Sequence, residues 1–142
     1  MKEQEKLHTT NYYDTFIAVA EDCPAVSGET PAMKGDKKTI ASLQFDMLSK
    51  HPYEFTSDDV LFQVYAERND LVEEEYEEAR RQFFSKGQAC FRASPLTKRY
   101  GWGIHCDGQG KMALYCRKTP DYDRYINDPS IKTVKAVRSS KK

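Results

Sequence analysis

The chain has 142 residues, of which 39% are apolar and 31% are charged, and its formal net charge is zero. This composition is typical of a polar globular protein and excludes a disordered chain. No apolar run approaches the roughly 18 to 20 residues that a membrane-spanning helix needs, so no transmembrane segment is predicted.

The first predicted element is a strand over residues 15–20, TFIAVA, which is rich in residues that favour β-structure. Apolar residues lie on both of its sides, so we expect it in the interior of a sheet. The polar residues 1–11 that precede it are expected to be loose. A long irregular loop follows over residues 21–38, with two prolines and two glycines.

A helix is predicted to begin near residue 40. Asp36 or Thr39 can act as its N-cap. The helix is expected to end before Pro52, because the residue before a proline is pushed out of the α region. Apolar residues recur between these limits at helical spacing. They are Ile40, Leu43, Met47 and Leu48.

A second helix is predicted within TSDDVLFQVYAERND, residues 56–70. Thr56 or Ser57 can cap it, and two aspartates follow in the first turn, where the helix dipole favours negative charge. Residues 60–66 are also rich in residues that favour β-structure, so a strand there is the alternative. The helical interpretation buries Val60, Leu61, Val64 and Tyr65.

The clearest helix is predicted over residues 71–88, LVEEEYEEARRQFFSKGQ. Acidic residues crowd its first turns and basic residues its last turns, which matches the helix dipole. Clustered glutamates can bind metal ions, but we interpret this run as a solvated helix face and predict no metal site.

A β-hairpin is predicted within TKRYGWGIHCDGQGKMALYCR, residues 97–117. The pair Gly108-Gln109 fits a two-residue type II′ turn, which places Trp102 opposite Tyr115. This register puts Cys106 and Cys116 on opposite faces, so they are not expected to form a disulfide.

Two other turns remain open for this hairpin. A type I′ turn at Asp107-Gly108 shifts each pairing by two residues and leaves the faces unchanged. A three-residue loop over residues 108–110 instead moves each side chain of the second strand to the opposite face of the hairpin. In every case Trp102 points away from the face that carries His105.

The same hairpin holds the candidate binding site. Gly101 and Gly103 are expected on one strand face with Arg99 and His105 and to leave a shallow trough there. Because glycine weakens a strand, two at alternate positions indicate that another part of the protein or a ligand packs closely. The candidate binding residues are Lys98, Arg99, Gly101, Gly103 and His105.

After the hairpin, Thr119 and Pro120 are expected to begin a short helix. Residues 131–138 fit either a helix or a final strand, and residues 139–142 are expected to be loose. The predicted fold class is α+β, in a single domain over residues 1–142. A small antiparallel sheet, built from the first strand and the hairpin, packs against about three helices.

The four cysteines are expected to be reduced and mostly buried. They contain no Cys-x-x-Cys pair, which excludes a zinc ribbon or a thioredoxin-type motif. The N-terminal residues have no apolar signal core, so a cytoplasmic protein is predicted. No motif indicates a cofactor.

Four segments carry a resemblance to a known family: TSDDVLFQVYAERND, FFSKGQACFRASP, SPLTKRYGWGIH and KAVRS. With them the chain resembles a family of small bacterial proteins catalogued as a domain of unknown function, over nearly its whole length. The resemblance implies a single-domain, cytoplasmic protein, and it implies no activity, cofactor or catalytic residue.

Three functions are compatible with these features. The first is a binding or interaction module, with a small ligand or a protein partner beside the hairpin. The second is nucleic-acid binding through the basic C-terminal half, in which residues 87–142 hold 12 Lys and Arg against 4 Asp and Glu. Lys98, Arg99 and Arg117 are its candidate phosphate contacts, with Tyr100 or Trp102 for stacking.

The third function is a small enzyme. His105 is its candidate acid or base, and Cys90 or Cys106 its candidate nucleophile. No catalytic motif supports this interpretation, so it ranks below the other two.

Overall fold

The computed structural model of the protein describes residues 7–31 and 38–138. Four strands, five helices and a 3₁₀ turn occur in this part of the chain. In chain order they are β1 (Thr15–Ala18), α1 (Ile40–Lys50), α2 (Ser57–Arg68), α3 (Glu73–Phe84), the 3₁₀ turn (Phe91–Ala93), α4 (Pro95–Lys98), β2 (Trp102–Cys106), β3 (Met112–Cys116), α5 (Pro120–Ile126) and β4 (Lys132–Lys135). None of the helices within the described residues has the length and apolarity to cross a membrane.

The strands form one mixed sheet in the order β3-β2-β1-β4. β1 is antiparallel to β2 and parallel to β4, so it lies in the interior of the sheet, and residues 132–135 form a strand and not a helix. The α+β class is confirmed. The sheet is not wholly antiparallel, because the chain crosses over one face through α5 between β3 and β4, and crossover connections join parallel strands.

The hairpin β2–β3 does not have the preferred register. Trp102 lies opposite Cys116, and Gly103 lies opposite Tyr115, which corresponds to the three-residue loop over residues 108–110. The two-residue turn is therefore wrong and the three-residue alternative is right. Cys116 consequently shares a face with Cys106, contrary to the prediction, and both thiols are free.

Two local features account for the longer loop. Gly110 has a φ of +81°, a left-handed conformation that glycine adopts without a steric penalty. One carboxylate oxygen of Asp107 accepts hydrogen bonds from the N–H groups of Gln109 and Lys111, both at 2.9 Å. The loop is thus closed by its own aspartate and by its last glycine.

Side chains alternate along the strands between two cores. Ile17 and Ile104 are fully buried on the face that α1, α2 and α4 cover. Phe16 lies on the other face, where it packs against Tyr122 of α5. Trp102 lies on the α1 side of the sheet, so it points away from His105 as predicted.

Helix α1 begins after Thr39, whose hydroxyl accepts the N–H of Ser42 at 3.1 Å. The alternative cap, Asp36, lies outside the described residues. The buried side differs from the predicted stripe, since Ile40 is 41% exposed and Gln44 is buried. A hydrogen bond of 2.6 Å from the hydroxyl of Ser94 to Gln44 makes this burial possible, and no apolar pattern signals it.

Helix α2 is confirmed over the alternative strand. Thr56 accepts the N–H of Asp59, and the carboxylate of Asp59 accepts the N–H of Thr56, which is a capping box. Val60 and Val64 enter the main core, whereas Phe62 packs with α3 in a separate cluster. Burial on two sides explains why this helix is apolar enough to resemble a strand.

Helix α3 begins at Glu73, and Glu75 accepts the N–H of Val72 at 3.0 Å. Its other acidic side chains face solvent. Among the described residues no group of three or more His, Cys, Asp or Glu side chains is placed to hold a metal ion. Glu73, Glu74 and Glu75 lie in the first turn, where the helix dipole favours negative charge.

Residues 1–11 and 139–142 are the two segments expected to be loose. Of these, residues 1–6 and 139–142 lie outside the described residues. Residues 8–11 are not loose. His8 donates its N–H to the carbonyl oxygen of Phe84 at 2.8 Å. The N–H of Thr10 donates to Asp58 at 2.7 Å, so this segment is anchored at the start of α2.

Candidate functional site

The five candidate binding residues lie at three places in the fold and do not form one site. Lys98 is the last residue of α4, and Arg99 is its C-cap. Gly101 lies in the turn before β2. Only Gly103 and His105, two residues apart on β2, share a strand face. The expected common face is thus wrong for Arg99 and Gly101, because the chain leaves a helix where the pattern predicts a strand.

Both glycines are packed against the protein itself, so there is no open trough beside them. A Cβ on Gly103 would lie 2.5 Å from Cζ of Phe16 and 2.6 Å from Cε2 of Tyr122. A Cβ on Gly101 would lie 2.4 Å from the carbonyl oxygen of Ser27. Close packing by other parts of the chain therefore accounts for both positions.

His105 lies among three tyrosines on the α5 side of the sheet. Its Nδ1 is 2.9 Å from the hydroxyl of Tyr53, which is also 2.7 Å from the hydroxyl of Tyr115. The ring of Tyr125 stacks on the imidazole, with centroids 4.3 Å apart. We call these four residues the tyrosine–histidine cluster.

Tyr53 reaches this cluster from the connection between α1 and α2. Its φ is +61°, a left-handed conformation that costs a residue with a Cβ about 1–2 kcal/mol. The backbone is held there by the N–H of Tyr53, which donates to the carbonyl oxygen of Met112 at 2.8 Å. The hydroxyl contacts with His105 and Tyr115 hold its other end, so the cluster ties this connection to the sheet.

The groups of the cluster are neutral near pH 7. Burial lowers the pKa of His105 below its ordinary value, although the carboxylates of Asp107, Asp14 and Asp128 oppose the shift. Burial raises the pKa of Tyr53, so its phenol stays protonated. The cluster is therefore suited to neutral hydrogen bonding, in which each polar group satisfies another.

Stability should depend on pH through His105. Because its pKa is lower in the folded chain, the unfolded chain takes up this proton first as the pH falls below about 6.5. The free energy of unfolding should therefore decrease as the pH falls from about 6.5 to the pKa of His105 in the folded chain. Above about pH 6.5 the contribution of His105 to stability should be complete. Urea unfolding between about pH 7.5 and pH 5 measures this slope.

His105→Asn is the variant that isolates this contribution. Asparagine places an amide near the position of Nδ1 but does not titrate, so the slope in that pH window should become smaller. A slope equal to that of the unmodified protein would show that another group carries it.

Neither cysteine considered as a nucleophile forms a pair with His105. Cys106 points to the opposite face, and burial raises the pKa of its thiol to about 12, so the thiolate is scarce at neutral pH. Cys90 lies before the 3₁₀ turn, where its Sγ is 3.4 Å from the hydroxyl of Tyr12. Of the four free cysteines only Cys106 is buried, so the expectation of mostly buried thiols is wrong.

Two of the residues considered for nucleic-acid binding have contacts within the protein. The indole N–H of Trp102 donates to the carbonyl oxygen of Glu29 at 2.8 Å. The guanidinium of Arg117 donates to the carbonyl oxygen of Ala25 at 2.9 Å. Lys98, Arg99 and Tyr100 lie elsewhere and line a common cleft.

This cleft has a volume of about 850 Å³ and lies where the start of α1, the end of α2 and α4 meet. We call it the basic cleft, because, among the described residues that line it, four are cationic and none is acidic. Its volume is within the range of sites for small molecules, about 300–1,000 Å³. The lining residues are Lys38, Thr39, Ile40, Ala41, Arg68, Ala93, Pro95, Lys98, Arg99 and Tyr100.

Three helix ends bring these side chains together. Consecutive helices with a short connection pack antiparallel, so Arg68 at the end of α2 lies beside the start of α1. Ser94 caps α4 by accepting the N–H of Leu96 at 3.1 Å, and Pro95 occupies the first helical position. This short helix then presents its last residues to the cleft.

Three of the four cations in the cleft have no acidic partner in the part of the chain that the structure describes. Lys38 forms an ion pair with Asp46 at 3.1 Å. Arg68, Lys98 and Arg99 form no ion pair with any of the residues that the structure describes. Ile40 and Ala41, in the first turn of α1, also line the cleft, and first-turn N–H groups have no partner within their own helix. Cations and first-turn amides together are the donors that a phosphate group binds.

Sequence reasoning finds part of this cleft. Lys98 and Arg99 are among the candidate binding residues, but Arg68 and Lys38 are not. The short connection between two helical patterns is a signal that could have placed Arg68 beside the start of α1. Nothing local indicates Lys38, or that Tyr53 reaches His105 through a left-handed backbone conformation.

A protein-family model described as a family of unknown function (DUF6157) matches residues 7–142. No curated protein and no solved structure matches the chain.

Proposed function

The chain belongs to the family of unknown function DUF6157, and we propose that it is a binding module that holds a small phosphorylated compound in the basic cleft. One observation carries this function: Arg68, Lys98 and Arg99 meet at one cleft and have no acidic partner among the described residues. The proposed site therefore differs from the site predicted beside the hairpin. It contains Lys98 and Arg99 and lies at helix ends, away from the two glycines.

The donors in the cleft suit a dianion better than a monoanion. A phosphate ester carries a charge of about −1.5 to −2 at pH 7, which three cations and a helix N-terminus can balance. The planar guanidinium groups of Arg68 and Arg99 can each donate two hydrogen bonds to phosphate oxygens. Tyr100, which is half-buried, offers an aromatic wall for the organic part of the ligand.

The other functions are supported by fewer residues. A nucleic-acid backbone presents the same phosphate groups, but Arg117 and Trp102 have contacts within the protein. An enzyme that uses His105 has less support, because neither Cys90 nor Cys106 is paired with that histidine. The cytoplasm is the compartment that we propose, and the four free cysteines support a reducing environment.

Replacing Arg99 with alanine should weaken binding of inorganic phosphate at least about tenfold, because a hydrogen bond to a charged group contributes about 1.5–3 kcal/mol. A titration with phosphate at low salt, monitored by NMR, measures the affinity and identifies the residues at which phosphate binds. The amide signals of Ile40 and Ala41 should shift on binding, since both residues line the cleft. Arg68→Ala should have a similar effect.

Arg124→Ala is the matched control. It removes one exposed guanidinium from α5, which packs on the opposite face of the sheet, and should leave phosphate affinity unchanged. Equal weakening by Arg124→Ala and Arg99→Ala would refute a specific cleft. A single-stranded oligonucleotide that binds far more tightly than phosphate, with a steep salt dependence, would replace this proposal by nucleic-acid binding.

A further inference from the structure

A second cavity, of about 230 Å³, adjoins the basic cleft. Ile40 and Arg68 line both cavities, so the two cavities lie side by side at the start of α1 and the end of α2. We call the second cavity the apolar groove. Its other lining residues are Gln44, Leu61, Val64, Tyr65, Asn69, Phe83, Gln88 and Ala89.

The three side chains of the apolar groove that carry an amide form hydrogen bonds within the protein. Gln44 accepts a hydrogen bond from the hydroxyl of Ser94 at 2.6 Å. The side-chain amide of Gln88 donates to the carbonyl oxygen of Phe83 at 2.7 Å, and that of Asn69 donates to the carbonyl oxygen of Tyr65 at 2.9 Å. A ligand in the groove therefore meets mainly apolar surface.

Part of that apolar surface is exposed to solvent. Ile40 is 41% exposed and Tyr65 is 40% exposed. The ring of Tyr65 packs on that of Phe83, with centroids 4.7 Å apart, which holds it in place as a wall of the groove. Exposed apolar side chains beside a cationic site match a ligand that has a charged end and an apolar end.

We propose that the ligand is amphipathic: a phosphate monoester whose phosphate lies in the basic cleft and whose short alkyl chain or single aromatic ring lies in the apolar groove. This inference rests on the proposed function and names the ligand class for the same site. Arg68 and Ile40 lie where the two parts of the ligand would meet, because both residues line both cavities. The smaller volume of the groove, about 230 Å³ against about 850 Å³, limits the apolar part to a short group.

Titration of the protein with inorganic phosphate and with hexyl phosphate tests this inference. Both titrations are followed at the amides of Ile40 and Ala41, at equal pH and ionic strength. Hexyl phosphate should bind at least tenfold more tightly, the gain that burial of a few methylene groups provides. In Tyr65→Ser this advantage should fall at least threefold, with the affinity for inorganic phosphate unchanged.

Two further variants keep the test interpretable. Ile40→Ser alters the wall of the apolar groove that α1 forms, so it should also reduce the affinity gain of hexyl phosphate over inorganic phosphate. This variant replaces Tyr65→Ser if that variant does not fold. Tyr13→Ser is the matched control, because Tyr13 is 55% exposed and lines neither cavity. The control should retain the full advantage of hexyl phosphate.

The outcomes separate the two proposals. Binding of inorganic phosphate with no gain for hexyl phosphate would overturn this inference and leave the proposed function intact. Binding of neither ligand would overturn both. Co-sedimentation with vesicles that contain phosphatidic acid, but not with phosphatidylcholine alone, would identify a lipid headgroup as the source. Tight binding of hexyl phosphate without co-sedimentation would identify a soluble ester.

Discussion

Replacing Gly101 with alanine is expected to lower the free energy of unfolding by about 3 kcal/mol or more. Two penalties add at this position. Its φ is +78°, where a residue with a Cβ loses about 1–2 kcal/mol. The Cβ would also lie 2.4 Å from the carbonyl oxygen of Ser27. This second contact is with backbone, which cannot rotate away as the end of a side chain can.

Urea unfolding of Gly101→Ala and Gly87→Ala measures the difference. A Cβ on Gly87 would meet nothing within 4 Å, so that substitution should be neutral or stabilise by about 0.4–1 kcal/mol through the unfolded chain. Similar stabilities for the two variants would contradict the close approach of Ser27 to the turn before β2.

Replacing Gly103 with alanine is expected to lower the free energy of unfolding by about 2–3 kcal/mol. The new methyl group would overlap the rings of Phe16 and Tyr122, which pack edge to face with centroids 5.1 Å apart. Phe16 is fully buried, and the hydroxyl of Tyr122 accepts the N–H of Val19 at 2.9 Å. Neither ring can move without breaking the contact between α5 and the sheet.

The double variant Gly103→Ala/Phe16→Leu tests the cause of this loss. Leucine lacks the atom nearest to the new methyl group, so part of the overlap should be relieved. The double variant should therefore be at least about 1 kcal/mol more stable than the sum of the two single effects predicts. Strict additivity, measured by the same unfolding experiment, would show that the loss at Gly103 has another origin.

The binding site was predicted only in part, because the residues before β2 have the pattern of a strand. The pattern predicts Arg99 on a strand with the glycines, yet Arg99 is the C-cap of α4 and Lys98 is its last residue. They line a cleft whose other walls come from the two helices nearest the N-terminus. The two glycines predict close packing by the protein or by a ligand, and the structure shows packing by the protein, with Phe16 and Ser27, which lie far away in the chain.

The amino-acid sequence by itself determined the elements whose stability comes from neighbouring residues. Thr39, Thr56 and Thr119 cap helices α1, α2 and α5, and the apolar strand at residues 15–18 lies inside the sheet. These features depend on hydrogen bonds and side-chain periodicity within a few positions, so they can be recognised locally.

Only the tertiary structure decided the sheet topology, the hairpin register and the site. The parallel pairing of β4 with β1 joins residues more than a hundred positions apart, and no local pattern encodes such a contact. Local energies do not distinguish the three-residue loop over residues 108–110 from the two alternative turns. The burial of β3 against the helices selects the register, because it decides which side chains of β3 face the core. The basic cleft likewise exists only because packing brings three helix ends together.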